Sequence, residues 1–388
     1  MPLPSLKEQF AALLAAPSVS STQIEHDQSN LLVVELLAGW LRDLGFECEL
    51  QQVLPGKFNL LATIGSGPGG LVLAGHSDTV PFDAPLWKSD PLRLREDDDR
   101  WYGLGSCDMK GFFALVIEAV RGLIDQPFHQ PLLILATCDE ESSMSGARAL
   151  VDAGRPLGRA ALIGEPTGLR PVRLHKGILM ERIDILGQSG HSSNPAYGHS
   201  ALEAMHDVMG ELIGLRRQWQ KTYDNPLFDV PKPTLNLGCI HGGDNPNRIC
   251  GQCSLEFDLR PLPGMDSEQL RATIRQHLQP LAERHQVAID LKPLYPGVPA
   301  FEQASDSELI RLAERLTGHP AEAVAFATEA PYFQQLGCQT LVLGPGDIAC
   351  AHQPDEYLDL ARIEPTVRLL RNMIEHYCLT PAVPANNA

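Results

Sequence analysis

Hydrophobic and polar positions form two kinds of pattern along the first part of the chain: helical spacing and short continuous apolar runs. Near the start, Leu6, Phe10, Leu13 and Leu14 recur at helical spacing, which predicts an amphipathic first helix. Apolar runs then alternate with helical patterns up to about residue 175, in the order LVLAGHSD, GFFALVIEAVRGLI, PLLILAT, GARALVDA and AALIGEP. This alternation predicts an α/β fold with a mostly parallel sheet flanked by helices.

The pattern changes from residue 178 onwards. Strand-like runs alternate there with two long helical segments, in the order ILMERIDIL, HSALEAMHDVMGELIGLRRQW, PTLNLGCI, CSLEFDLR, SEQLRATIRQHLQPLAERH and VAIDLKPL. The order βαββαβ is typical of a small α+β domain. The α/β pattern resumes with ELIRLAERLTG and TLVLGPG. We therefore predict a first domain made of residues 1–177 and 294–388, with residues 178–293 inserted as a second domain.

Histidines and acidic residues follow several of the apolar runs. They are His76, Asp78, Asp108, Glu140, Glu141, Glu165 and His352. Because the carboxyl ends of parallel strands meet at one edge of a sheet, we expect these side chains to lie together. Two histidines with several carboxylates form a ligand set suited to zinc or a related divalent ion.

Each of these residues also has an ordinary interpretation. His76 and Asp78 lie two apart on a strand, so they share a face and could simply bond to each other. Asp108 could cap the helix that follows it, and Glu140 and Glu141 could be solvated. The recurrence of such residues at several strand ends favours a site over these separate interpretations.

Composition narrows the class of protein. A length of 388 residues favours two domains, and the formal charge of −17 disfavours nucleic acid and anionic membranes as partners. No apolar run approaches the roughly 18 residues of a membrane span. The nine cysteines are odd in number and scattered, which indicates reduced thiols. We therefore expect a cytoplasmic protein that acts on a small molecule.

Two other hydrolase chemistries lack their motifs. The chain contains no H-E-x-x-H, the motif of helix-borne zinc proteases, and no G-x-S-x-G, the motif of serine hydrolases. The segment GLGSCD begins like a dinucleotide-binding loop but has Asp108 where a third glycine would stand. A metal-dependent reaction is the chemistry that remains favoured.

The sequence resembles the M20 metallopeptidase and deacylase family almost from end to end. The segments that carry the resemblance include KFNLLATIG, LAGHSDTVPFD, WYGLGSCDMKGFFA, ATCDEESSMSGAR, LIGEPT, GQSGHSSNP, DLRPLPGM and GPGDIACAHQPDEYL. The resemblance implies two zinc ions, for which Co²⁺ or Mn²⁺ could substitute, bridged by Asp108. The first ion would bind His76 and Glu165, and the second would bind Glu141 and His352.

The same resemblance implies roles for residues around the metal ligands. Asp78 would lie behind His76 and fix its tautomer, and Glu140 would be the general base. The peptide bond between Asp108 and Met109 would be cis. A homodimer would form through the inserted domain, and His191 would reach the partner's site to stabilise the oxyanion.

Further residues match positions that contact the substrate in the family. The α-carboxylate of the substrate would be bound by Asn247, Arg248 and Arg260, since a guanidinium matches a planar carboxylate. Gly344 and Gly346 would let the backbone approach the substrate. The ordinary alternatives are a loop histidine for His191 and a solvated surface arginine for Arg248.

The reaction that the resemblance implies is removal of the acetyl group from N2-acetyl-L-ornithine, a step of arginine biosynthesis that yields L-ornithine and acetate. Other deacylases of the family act on N-acetylcitrulline, on N-succinyl-diaminopimelate or on a wider range of N-acyl amino acids, and these substrates stay open. A catalytically silent binding protein of the same fold is a further alternative. The presence of Glu140 beside a full ligand set argues against it.

Overall fold

The computed structural model describes residues 3–67 and 69–381. The chain forms two compact units, of which the first comprises Met1–Arg173, Gln303–Glu322 and Thr328–Ala388. The second unit comprises Leu174–Glu302 and the short segment Ala323–Ala327. It therefore begins slightly before residue 178 and ends beyond residue 293, because a strand pair that joins His175 to Phe301 extends it past both predicted boundaries.

The described part of the chain contains α-helices of widely different length. They are α1 (Leu6–Ala15), α2 (Leu31–Asp43), α3 (Lys110–Arg121), α4 (Ser145–Ala153), α5 (Ala201–Thr222), α6 (Ser267–His285), α7 (Glu308–Thr317), α8 (Ala330–Gln335) and α9 (Ile363–Ile374). None of the helices in residues 3–67 and 69–381 is long and apolar enough to cross a membrane.

Strands alternate with these helices along most of the chain. They are β1 (Glu47–Leu54), β2 (Lys57–Ile64), β3 (Leu71–His76), β4 (Arg95–Asp97), β5 (Arg100–Tyr102), β6 (Leu132–Thr137), β7 (Ala160–Ile163), β8 (Val172–His175), β9 (Leu179–Leu186), β10 (Thr234–Gly242), β11 (Gln252–Arg260), β12 (Ala288–Pro293), β13 (Phe301–Glu302), β14 (Glu322–Val324), β15 (Gln339–Val342) and β16 (Tyr357–Asp359).

The first unit is built on a sheet with the strand order β1-β2-β6-β3-β7-β15. Its centre is parallel, since β3 pairs in parallel with β6 and β7, and β7 pairs in parallel with β15. The prediction of a largely parallel sheet is confirmed for these four strands, whereas β1 and β2 add an antiparallel edge. All residues of β3 and β6 are buried, so the two strands have continuous apolar sequences instead of alternating ones.

Helix α1 shows how the local sequence forms these elements. Ser5 accepts a hydrogen bond from the backbone N–H of Glu8, whose side chain accepts one from the backbone of Ser5. This capping box satisfies N–H groups that the first turn leaves free. The predicted apolar face is also present, since Phe10, Leu13 and Leu14 are fully buried in the core of the first unit.

The second unit contains an antiparallel sheet with the order β10-β11-β9-β12. Helix α5 follows β9, and α6 follows β11, so the chain order is βαββαβ as the sequence pattern predicts. Alternate residues of β9 are buried, among them Ile183 and Ile185, and they join one apolar core with Val208 and Leu212 of α5 and Ile274 of α6. This unit therefore has a hydrophobic core of its own.

Candidate active site

Three parallel strands deliver polar side chains to the same edge of the first unit's sheet. His76 is the last residue of β3, Glu140 and Glu141 lie in the turn after β6, and Glu165 follows β7. The neighbouring strands β6, β3 and β7 run in one direction, so these residues leave the sheet side by side.

Asp108 lies between two histidines. Its Oδ1 is 3.1 Å from Nε2 of His76, and its Oδ2 is 3.4 Å from Nε2 of His352. The same Nε2 of His352 is 3.1 Å from the carboxylate of Glu141. The two oxygens of one aspartate thus face two different imidazoles, which is the arrangement that a bridging ligand requires.

The potential ligand atoms form two overlapping groups. His76, Asp108 and Glu165 have ligand atoms within 4.8 Å of one another, and so do Asp108, Glu141 and His352. Asp108 is the member common to both. A third group joins His76 to Glu140 and Glu141. The structure therefore gathers all five residues for which metal binding is expected, with Glu140 next to them.

The contacts of Asp78 differ from those expected. Nδ1 of His76 lies 3.0 Å from the main-chain oxygen of Asp78, but 3.8 Å from its nearest carboxylate oxygen. A carbonyl only accepts hydrogen bonds, so Nδ1 donates its proton to it, and Nε2 is the ring nitrogen that faces Asp108. The carboxylate of Asp78 instead accepts hydrogen bonds from the backbone N–H groups of Glu140, at 3.3 Å, and Glu141, at 3.1 Å.

The electrostatics of the site reflect several acids in a buried space. Burial, reinforced by neighbouring carboxylates, raises the pKa of Glu140 and of Glu165 well above the usual range. Burial also raises the pKa of Asp78 to about 6. For Asp108 burial acts in the same direction, but hydrogen bonds from His352 and His76 outweigh it and hold its pKa well below the usual value. Positive charge next to these acids would stabilise their ionised forms.

The donor set fits a pair of divalent cations. Oε1 of Glu165 is buried and has no hydrogen-bond partner among the described residues, so it is an acceptor available to a metal. Each group that shares Asp108 combines one imidazole with two carboxylates. Imidazole and carboxylate donors together suit zinc and its neighbours among the transition metals.

Two buried glutamates beside the site were not predicted from the sequence. Glu356 accepts hydrogen bonds from the backbone N–H groups of Gly105, Cys107 and Asp108, so it holds the loop that carries the shared aspartate. Glu329 is fully buried, and its carboxylate accepts a hydrogen bond of 2.8 Å from the hydroxyl of Thr137, the last residue of β6. Burial raises the pKa of Glu356 to about 8 and that of Glu329 to about 7.

One of these glutamates, Glu329, has a sequence signal that could have indicated it. It stands between small and apolar residues in FATEAPYF, whereas Glu356 follows His352 closely in the segment AHQPDEY. A carboxylate inside an apolar segment is seldom buried without a partner or a function.

The Asp108–Met109 peptide bond is cis, as the family resemblance implies.

Gly344 and Gly346 are required by close packing within the first unit. A Cβ atom on Gly344 would lie 2.5 Å from the main-chain oxygen of Glu165, and one on Gly346 would lie 2.6 Å from Sγ of Cys107. Both distances are far below a normal contact. The glycines therefore allow this loop to approach the segments that carry Glu165 and Asp108.

The remaining residues of interest belong to the second unit. His191 is exposed, accepts a hydrogen bond on Nδ1 from the N–H of Ser193 and forms an isolated bridge with Arg248. Arg248 is exposed and pairs with Asp244 at 2.5 Å, while the main-chain oxygen of Asn247 accepts from the N–H of Ser192. These three residues thus belong to one local loop cluster.

Arg260 lies at the end of β11, apart in sequence from that cluster. Its Nε is 3.0 and 2.8 Å from the two carboxylate oxygens of Asp258. The side chain is about a quarter exposed, at 27%. The arginine is therefore held in place by its own strand while part of it stays accessible to solvent.

Comparison with known proteins relates the chain to one family of hydrolases. Residues 72–376 match the model of Peptidase family M20/M25/M40. The chain is 48% identical over 380 residues to the acetylornithine deacetylase of Photorhabdus laumondii subsp. laumondii, covering 97% of this chain and 98% of that protein. It is 50% identical over 380 residues to the acetylornithine deacetylase of Edwardsiella ictaluri, with the same coverage.

Solved structures of low sequence identity share the fold. The aminopeptidase PepT of Bacillus cereus aligns with a TM-score of 0.75 at 21% identity, covering 96% of this chain and 98% of that one. An M20 family metallo-carboxypeptidase of Sulfolobus solfataricus aligns with a TM-score of 0.74 at 17% identity, covering 96% and 99%. The match to the family model and the near full-length relatives lead to one conclusion: this chain belongs to Peptidase family M20/M25/M40.

Proposed function

We propose that this protein removes the acetyl group from N2-acetyl-L-ornithine, giving L-ornithine and acetate, with two divalent cations as cofactors. The observation that carries the proposal is the position of Asp108, whose two oxygens face His76 and His352. Identities of 48% and 50% to acetylornithine deacetylases over nearly the whole chain support this substrate. The protein is accordingly a metal-dependent amide hydrolase.

We assign one cation to each of the two ligand groups that share Asp108. One cation would be held by His76, Asp108 and Glu165, and the other by Asp108, Glu141 and His352. Zinc suits these donors best, and Co²⁺ or Mn²⁺ could replace it. When bound, such a pair polarises the scissile carbonyl and makes water more acidic.

Glu140 is the proton carrier of the reaction. Its carboxylate takes a proton from the attacking water and passes it to the nitrogen of the departing α-amine. The water oxygen becomes part of acetate, and the C–N bond of the amide breaks. Asp78 supports this step, because its carboxylate binds the backbone N–H groups of Glu140 and Glu141 and so fixes the turn that holds the base.

The second unit would supply the groups that bind substrate. Arg260, Arg248 and Asn247 are assigned to the substrate α-carboxylate, and a guanidinium provides the matching donor pair. His191 is assigned to the oxyanion of the partner's site in a homodimer formed through this unit. Backbone at Gly344 and Gly346 would border the substrate.

The proposal includes a cytoplasmic location and a role in arginine biosynthesis. All nine cysteines are free, which is the state expected in a reducing compartment. The negative charge of −17 is consistent with the absence of nucleic-acid and membrane partners.

The proposal is tested by assaying ornithine release from N2-acetyl-L-ornithine with enzyme loaded with Zn²⁺ or Co²⁺. The matched control is Glu140→Gln purified in the same way, because it reveals a contaminating deacetylase. Ornithine release by the wild type alone supports the proposal. Equal release by both proteins, or none by either, contradicts it.

A further inference from the structure

Lys57 is a buried cation close to the turn that carries Glu140 and Glu141. It is the first residue of β2 and is only 5% exposed. Its Nζ lies 2.6 Å from Oδ1 of Asp27, 2.8 Å from Oδ1 of Asp139 and 2.8 Å from the main-chain oxygen of Gln28. An ammonium group has three hydrogens to donate, so these three acceptors use all of them.

Burial and ion pairing act in opposite directions on this lysine. Burial lowers the pKa of Lys57, but hydrogen bonds to Asp139 and Asp27 outweigh it and raise the pKa above the usual value. The side chain is therefore a cation at neutral pH. A buried charge of this kind persists only when it is paired, so the contact with Asp139 is a fixed element of the fold.

Asp139 connects Lys57 to the site. Its Oδ1 also accepts a hydrogen bond from Ser20, and its Oδ2 accepts one from Ser145, both at 3.0 Å. Its backbone has φ = +56°, in the left-handed region that non-glycine residues seldom adopt. Its main-chain oxygen accepts from the N–H groups of Ser143 and Met144. Asp139 thus determines the path of the turn that begins with it.

The turn is consequently held on two sides. The carboxylate of Asp78 binds the N–H groups of Glu140 and Glu141, while Lys57 binds the carboxylate of the residue that precedes them. A displacement of about 1 Å in a catalytic group lowers the rate by roughly 100-fold. The contact between Lys57 and Asp139, which holds the turn from its second side, is therefore expected to affect the rate of the reaction.

We propose that Lys57 is a positioning residue, which through its ion pair with Asp139 fixes the turn that carries Glu140 and Glu141. Lys57 touches neither substrate nor cation in this role. The proposal rests on the proposed function for one part only, the assignment of Glu140 as general base. The effect on cation binding through Glu141 is independent of that assignment.

The direct test is Lys57→Met, which keeps an unbranched apolar stem and removes the ammonium. We expect kcat to fall about 10- to 100-fold with KM changed less than about threefold, because the base is misplaced while the groups that bind substrate are intact. The matched control is Asp27→Asn, which weakens the more exposed partner of Lys57 and keeps the pair with Asp139. Its kcat should stay within about threefold of wild type, because the ion pair between Lys57 and Asp139, which fixes the turn, is retained.

A second variant addresses the stability of the protein. Lys57→Met leaves Asp139 as an unpaired buried charge, which destabilises the fold. The double variant Lys57→Met/Asp139→Asn removes both charges, so we expect it to regain most of the lost Tm while kcat stays low. Recovery of kcat together with Tm would show that Lys57 contributes to stability alone, and would overturn the proposal.

Two further measurements show whether Lys57 acts through the turn. In a Glu140→Gln background, Lys57→Met should lower kcat by less than about threefold more, since the group it positions is already missing. Titration with Co²⁺ should show a roughly tenfold weaker second site in Lys57→Met, comparable to losing a residue that orients a ligand. A full 10-fold further loss in the first measurement, or two unaltered Co²⁺ affinities in the second, contradicts the proposal.

The proposed function and the proposed role of Lys57 can each be contradicted without the other. If Glu140→Gln keeps its kcat, the proposed base is wrong, but the Co²⁺ titration of Lys57→Met still tests the anchor. If Glu140→Gln is inactive and Lys57→Met keeps wild-type kcat and Co²⁺ binding, the proposed function stands and the role of Lys57 is wrong.

Discussion

The main-chain oxygen of Asp78 lies 3.0 Å from Nδ1 of His76, closer than either oxygen of its own carboxylate, the nearer of which is 3.8 Å away. The peptide backbone therefore holds the imidazole by Nδ1 and directs its Nε2 towards Asp108, where a cation would bind. The carboxylate serves another purpose, since it accepts the N–H groups of the turn that carries the base. One residue thus orders His76 and the turn that carries Glu140 by two separate groups.

The carbonyl and the carboxylate of Asp78 make different contacts, and this difference predicts the behaviour of Asp78→Asn. The carbonyl that orients His76 is retained, so both cations should bind with affinities within about tenfold of wild type. The amide has one acceptor oxygen for two N–H groups, so the turn should loosen and kcat should fall roughly 10- to 100-fold. Metal analysis combined with steady-state kinetics checks both parts. Loss of the first cation would mean that the carboxylate, not the carbonyl, orders His76.

Glu140→Gln tests the proton carrier. The amide preserves the size of the side chain but takes up no proton, so kcat should fall by at least about 100-fold. Both cations should remain, since Glu140 is not assigned as a ligand of either one. Elemental analysis of the same sample provides the control. A fully metallated variant with near-normal kcat would remove Glu140 from the mechanism.

The shared position of Asp108 predicts a graded response to loss of ligands. Asp108→Ala should weaken both cation sites, because its two oxygens face different histidines. Glu165→Ala should chiefly weaken the first site, and Glu141→Ala the second. Each loss should be at least about 10- to 100-fold in affinity, the effect known for residues that merely orient ligands. Two tightly held ions in Asp108→Ala would refute the bridging assignment.

A mixed dimer tests the assignment of His191 to the partner's site. Chains carrying Glu140→Gln and chains carrying His191→Ala should each be nearly inactive alone, since an oxyanion donor contributes about 100- to 1000-fold to kcat. After subunit exchange, up to about a quarter of wild-type activity should return, because random pairing makes half of the dimers mixed and each has one complete site. No recovery despite proven exchange would mean that His191 acts within its own chain or has no role.

The sequence pattern predicts the elements well where a whole face is buried. The continuous apolar runs that end at His76 and Thr137 form the buried strands β3 and β6, and their parallel pairing brings the polar residues after them together. The boundary of the second unit is harder to predict. The unit extends past the predicted limits through a short strand pair, His175 with Phe301, and the sequence pattern does not show which distant residues pair.

Anchoring residues are the part of the site that sequence reasoning missed. A lysine at the start of a strand, such as Lys57, is usually solvated, and nothing local indicates that Asp139 approaches it. Glu356 binds backbone N–H groups, and the carbonyl of Asp78 acts as an acceptor. Backbone groups are the same in every residue, so such contacts leave no mark in the sequence.

The most direct test of the proposed substrate compares kcat/KM of the Zn²⁺- or Co²⁺-loaded enzyme for N2-acetyl-L-ornithine with the values for N-acetylcitrulline and N-succinyl-diaminopimelate. All three reactions need the same cation pair and the same base, so the ratio reports the substrate pocket alone. We predict that kcat/KM for N2-acetyl-L-ornithine exceeds the other two by at least about tenfold, which corresponds to roughly 1.4 kcal/mol of transition-state stabilisation. A higher kcat/KM for either of the other substrates would contradict the assignment of N2-acetyl-L-ornithine as the substrate.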